Sequence, residues 1–237
     1  MTFQSLTLTK TRVDVTGAAV LDSVPRYPIP SDFFPNEFSE TFQAEGSGNG
    51  PVRIIDDNPT IRRIFVTLHN LTCLIQSDLG SRNIWDDPTW SLFNITPVLH
   101  RLLSLPRFTE TQDLESRAQE CSRVAAILYV REIQAKFGIT TTPGVPHVLK
   151  LQHLLSREQG EFMATYFQAV YPWILTIGGI GASSNPLRSW FVTAARELLQ
   201  SVGIISWEGA LNRSQLPWIK DVFEEATTTF GREVLAM

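Results

Sequence analysis

Four histidines and two cysteines are the residues from which metal or nucleophilic chemistry would be built, so their spacing is the first test. His147 and His153 stand six apart, whereas a helix aligns ligands at three or four, and no third ligand is near. His69 and His100 fall in different segments with no acidic neighbour at ligand spacing. All read as surface or core-edge histidines. Cys121 lies between Ala118 and Ala125 on an apolar stripe, where a thiol is structural, because reactivity needs an exposed, electropositive setting. The glycines of Ile177-Gly-Gly-Ile-Gly-Ala-Ser183 bear a faint likeness to a dinucleotide fingerprint, which works only within a strand–turn–helix unit. Here the strand is contested, and the glycines read instead as ending one helix and letting the next pack closely. Glu224-Glu225 reads as a solvated face. With no nucleophile elbow, phosphate loop or carboxylate pair, no catalytic, cofactor-binding, metal or DNA-binding residue is assigned. The chain is expected not to be an enzyme and to need no cofactor.

Aromatic residues offer more. Trp173, Trp190, Trp207 and Trp218 fall on successive helical segments, where they fill a core or line an apolar cavity; core filling is the default, and any ligand-binding residues are unspecified. Between Ser31 and Glu45, four phenylalanines interleave with four acids. Such a segment suits either a strap on the protein's own body, the favoured reading, or a contact for transcription machinery.

The 237 residues, 43% hydrophobic and 19% charged, support a sizeable core and exclude a fibrous or wholly disordered chain. The net charge of -4 is uneven: residues 1–57 hold 4 basic and 8 acidic groups, and the rest is neutral. A neutral body argues against direct contact with nucleic acid, which needs a basic face. The two cysteines, Cys73 and Cys121, read as reduced thiols of a nuclear or cytoplasmic protein. The first 25 residues lack the pattern of a signal peptide, so Asn70, Asn94 and Asn212 head chance sequons. Tyr166–Ala182 is the longest apolar run, but Gln168, Pro172 and three glycines interrupt it, so it reads as core rather than a membrane span.

These residues must be positioned by helices. Residues 1–57, with 5 of the 14 prolines and a Gly-rich stretch near 45–52, read as an extended, partly disordered arm and linker. Residues 58–237 read as one all-α domain of about eight helices. Asn58-Pro59 caps the first, near 59–79; Asp87-Pro88 and Thr96-Pro97 each open a short one. Thr109 and Gln112 have capping-box spacing before a stripe from Leu114 to Phe137 that ends at Gly138. Helices follow over 147–156 and 158–178, the latter kinked or broken at Pro172. Asn185-Pro186 opens another that ends at Gly203, and Ser206 and Ser214 read as caps of the last two. Only Ser5–Val15 alternates like a strand, too briefly to build a sheet.

The wording of several segments is more specific. Leu102-Leu-Ser-Leu-Pro106 and Glu120-Cys-Ser-Arg-Val-Ala-Ala-Ile-Leu-Tyr129, with Glu132-Ile133 and Phe137-Gly138, resemble the middle region of fungal transcription factors of the zinc-cluster type. Trp173-Ile-Leu-Thr-Ile-Gly-Gly179, Trp190-Phe-Val192 and Ser206-Trp-Glu208 resemble that family's carboxy-terminal signature in the same order, so the likeness spans about residues 95–230. It implies a helical regulatory domain that follows a six-cysteine binuclear zinc cluster. The cluster needs two Cys-x-x-Cys-x6-Cys groups, which these residues do not contain, and no basic linker or heptad segment stands at the amino end. The family's DNA contacts therefore transfer to no residue here.

Three accounts stay open. The favoured one is a nuclear transcription regulator acting through a protein partner, either a transcription factor or the transcription machinery, or by sensing a small apolar ligand. The second is a helical ligand-binding or interaction module outside transcription. The third is an enzyme of fungal secondary metabolism whose site is not visible as a motif.

Overall fold

A computed structural model describes residues 3–29, 58–108, 113–139, 144–156, 170–182, 185–203, 206–214 and 216–236. Among them lie nine helices and no strand: α1 Phe3–Leu21, α2 Pro59–Leu79, α3 Pro88–Ser104, α4 Leu114–Lys136, α5 Val145–Ser156, α6 Tyr171–Gly181, α7 Asn185–Val202, α8 Trp207–Ser214 and α9 Lys220–Leu235. The all-α class and the eight helices expected beyond residue 57 are as read from the sequence. No helix among the described residues is long and apolar enough to cross a membrane.

Helix α4 is the axis. It packs against α2, α3, α5, α6 and α9, and is buried on nearly every side from Ala118 to Gln134. A helix surrounded in this way must be apolar or small all round, and Ala118, Cys121, Val124, Ala125, Ala126 and Leu128 meet that demand. Helix α2 begins at its expected cap: Asn58 Oδ1 accepts from the backbone N–H groups of Thr60 and Ile61 at 3.0 and 2.9 Å. The same side chain donates through Nδ2 to Glu115 at 2.6 Å, which ties the start of α2 to the start of α4.

Several boundaries differ from expectation, each for a tertiary reason. Thr96-Pro97 does not open a second helix; Pro97 lies inside α3. Trp90, Ile95, Val98, Leu99 and Leu102 form one continuous buried face across it, and that burial outweighs the roughly 3 kcal/mol an interior proline costs. Asp113, not Thr109, caps α4 through a 2.9 Å bond from the Ser116 N–H; Thr109 and Gln112 lie outside the described residues. The break expected at Pro172 falls at the start of α6, where the missing N–H is harmless in a first turn; residues 158–169 of the expected helix lie outside the described residues. Ser206 caps α8 as expected, accepting from the Gly209 N–H at 3.0 Å, but Ser214 ends α8 and Ile219 precedes α9.

The largest difference is at the amino end. Residues 3–21, expected within the extended arm, form α1, which packs on α3. The apparent alternation of Ser5–Val15 hides a helical face: Thr11, Val15, Ala18 and Ala19 recur at three and four and are buried. From Asp22 to residue 29 the chain has no regular element, and the acidic aromatic segment 31–45 and the linker near 45–52 lie outside the described residues.

The glycines of α6 do what close packing predicts. A Cβ on Gly178 would sit 2.3 Å from the Phe191 ring of α7, and one on Gly179 would sit 2.3 Å from the Phe230 ring of α9. Both rings are fully buried, so neither can swing aside. Gly178→Ala is therefore expected to lower stability by about 1–3 kcal/mol despite alanine's better helix propensity, measured by urea unfolding. An unchanged or raised midpoint would show that α6 and α7 are further apart.

Candidate functional site

The polar constellation of this protein is a buried ionic cluster at the end of α1, built from residues far apart in the chain. Glu120 and Arg123 lie one turn apart on α4; Arg123 donates from Nε to Glu120 Oε2 at 2.8 Å and from Nη2 to Oε1 at 2.7 Å. Arg123 Nη2 also reaches both carboxylate oxygens of Asp22, at 2.8 and 2.9 Å. From α5, Lys150 donates to Asp22 Oδ2 at 2.6 Å and pairs with Glu120 Oε1. Arg107, just past α3, donates from Nε to the Asp22 carbonyl at 2.9 Å, and its Nη2 lies 3.7 Å from the Asp22 carboxylate. Asp22 itself sits at φ 45°, where the chain leaves α1 in the left-handed region that aspartate tolerates better than most residues.

The electrostatics follow from burial and partners. Burial alone would raise the Asp22 carboxyl, but the charges of Arg123 and Lys150 outweigh it and hold the group at about 2. Glu120 is displaced downward in the same way, and Arg123 upward by its two carboxylates. Three basic side chains thus face two carboxylates. What this arrangement can do is hold anions; none of its side chains is poised as an acid, base or nucleophile.

Behind the cluster stands His147, 1% exposed. Its Nδ1 lies 3.5 Å from Arg131 Nη1, and a guanidinium can only donate, so the imidazole proton belongs on Nε2. That Nε2 is buried without a partner among the described residues. Burial lowers the imidazole to about 4; Arg131, Arg123 and Lys150 push the same way and Asp22 opposes them. A base whose folded value is depressed contributes stability that is fully present above its unfolded value near 6.5 and is lost as pH falls toward 4. The loss is expected to be roughly 3 kcal/mol, measured by urea unfolding at pH 7, 5.5 and 4.5. His147→Gln should flatten the curve across that window, and a slope equal to the wild type's would overturn the assignment. Glu132 acts in the opposite sense, since burial raises its carboxyl and its protonation favours the folded state, so the comparison with His147→Gln is what isolates the histidine.

The residues weighed in the sequence are scattered. His100 donates from Nε2 to the Tyr27 carbonyl at 3.0 Å and so helps hold the segment after α1. His69 and Cys73 are one turn apart on α2 with Sγ and Nε2 separated by 3.3 Å. Burial pushes that thiol up and that imidazole down, each toward its neutral form, which is the reverse of a thiolate–imidazolium pair. Cys121 is fully buried and its thiol is pushed far up by burial. Glu224 and Glu225 face solvent. Among the described residues no group of three or more His, Cys, Asp and Glu could hold a metal ion.

Trp173 and Trp207 are buried and their indole N–H groups are used: Trp173 donates to the Pro217 carbonyl at 3.2 Å and Trp207 to Thr176 Oγ1 at 3.1 Å. Both fill core, while Trp190 and Trp218 pack half-buried against it. A cavity of about 20 Å³ between α1, α3 and α4, lined by Thr16, Ala19, Val20, Leu99, Arg131, Gln134 and Ile139, has room for a water molecule.

The sequence contains one signal for the cluster that motif spacing does not capture. Glu120, Arg123 and Arg131 fall within the stretch from Ala118 to Gln134, which is mostly apolar or small, and charges buried in such a stretch must be paired inside the fold. No family model, curated protein or solved structure matches the chain.

Proposed function

We propose that the chain is a transcription-regulator-like helical module, nuclear, which reaches chromatin through a protein partner and not through its own contact with DNA. The observation that supports this reading is where the family-like segments fall. Leu102 and Leu103 on α3, Cys121 to Tyr129 on α4, Trp173 to Ile177 on α6, Phe191 on α7 and Trp207 on α8 all contribute buried residues to one core. Segments that resemble a regulatory domain in order thus also form one packed body. The neutral charge of residues 58–237 suits protein contacts better than a phosphate backbone.

The test is a chromatin pull-down from fungal cells expressing the tagged full chain, paired with a DNA-binding assay on the purified chain. Recovery of a zinc-cluster-type factor with its promoter DNA, and no retention of that DNA by the purified chain alone, is the expected result. Recovery of neither factor nor promoter would sink the regulator reading, and direct retention of DNA would sink the partner-borne route.

A further inference from the structure

The Arg123 guanidinium has two edges that can each make a pair of parallel bonds to an anion. Glu120 takes the Nε/Nη2 edge with both of its oxygens. The other edge, Nη1/Nη2, faces the end of α1, yet Asp22 places both oxygens on Nη2, and Nη1 is buried with no partner among the described residues. Asp22 therefore uses half of the available edge. It also supplies one negative charge where two are wanted: Arg107, Arg123 and Lys150 face Glu120 alone once Asp22 is set aside. A phosphate monoester carries about -1.5 to -2 at neutral pH and has three strong acceptor oxygens, enough to balance the charge and reach Nη1 as well.

The occupant is carried by a lightly buried stretch of chain. Over residues 10–21, helix α1 buries Thr11, Val15, Ala18 and Ala19, while its larger Val13 and Leu21 are 67% and 74% exposed. A cavity lies beneath it, bounded by Thr16, Ala19 and Val20. Little apolar area is broken when residues 10–21 of α1 lift, and the rim of the cradle is already open to solvent, since the Lys150 and Arg107 side chains are 33% and 24% exposed.

We propose that Arg107, Arg123 and Lys150 form a receptor for a phosphate monoester on a partner protein, with Asp22 as its built-in occupant, so that docking of α1 and docking of the phosphorylated partner exclude each other. The inference deepens the partner-borne reading above by naming the chemistry of the partner.

The experiment compares the full chain with Asp22→Gly, which removes the carboxylate at a φ that glycine adopts freely. Inorganic phosphate, acetate, N-acetyl-phosphoserine amide and the unphosphorylated serine amide are titrated at constant ionic strength against chloride, and thermal midpoint and dissociation constant are read. Phosphate and the phosphoserine amide are expected to bind Asp22→Gly about tenfold more tightly than they bind the wild type, and Lys150→Met in that background should take back about tenfold. In the wild type, excess phosphoserine amide should speed hydrogen exchange across residues 10–21. If phosphate stabilises Asp22→Gly no more than acetate or chloride does, or binds both proteins equally, the cradle is a fixed clasp and the proposal fails. Binding of free phosphate without the phosphoserine amide would overturn the protein-borne source. These outcomes are read on purified protein, so they stand or fall independently of the chromatin pull-down.

Discussion

Arg123→Met is expected to destabilise the protein by about 3–5 kcal/mol, because it leaves Glu120, whose side chain is 0% exposed, and much of Asp22 as under-compensated buried charges. In a chain of this length that corresponds to a fall in melting temperature on the order of 10 °C. The cost comes from orphaning the carboxylates, not from the worth of the ion pair. Removing both members of the α4 pair tests this: Glu120→Leu with Arg123→Met should recover most of the loss, since an apolar pair of similar volume in a dry site is often as stable as the ions it replaces. Heat and urea unfolding of the single and double variants decide the matter. If the double variant is as unstable as the single one, the cost lies in lost packing or in the freed end of α1, and the orphaned charges are not its cause.

The cluster also separates what neighbouring residues announce from what only packing decides. Helix α2 is readable to the residue because its signals are local: Asn58 and Pro59 announce a start that needs no other helix to interpret it. The cluster is not local. Asp22 and Lys150 are 128 positions apart, nothing beside either one in the sequence points to the other, and only the packing of α1, α4 and α5 brings them together. The same limit accounts for Pro97. A proline announces a break in any isolated segment, but whether the helix continues past Pro97 depends on the buried face it shares with its neighbours, and that is a tertiary quantity. Helix α1 is hard to detect for a related reason. Over residues 10–21 its buried positions are Thr11, Val15, Ala18 and Ala19, with valine the largest apolar side chain among them, so this stretch carries little hydrophobic pattern.

Trp173→Ala addresses the ligand-sensing account directly. Trp173 is 1% exposed and meets the Phe65 ring of α2 edge-on at 5.3 Å and the Tyr129 ring of α4 at 5.6 Å, while its indole donates to the Pro217 carbonyl. It therefore joins α6 to α2, to α4 and to the segment entering α9. Truncation should lower stability by about 3–5 kcal/mol, a sum of lost burial, an unfilled cavity and a stranded carbonyl. Trp173→Phe keeps most of the volume and is expected to lose less than half as much. Because the surrounding walls are aromatic and rigid, the space left by alanine should persist and take up a flat apolar molecule, so millimolar indole is expected to raise the melting temperature of Trp173→Ala by several degrees. The wild type is the informative control. Its tryptophan already occupies that space, and indole should leave its melting temperature unchanged. An equal rise in the wild type would mean that the body accepts an apolar ligand with its aromatic core in place, and would shift the weight from partner contacts to small-molecule sensing.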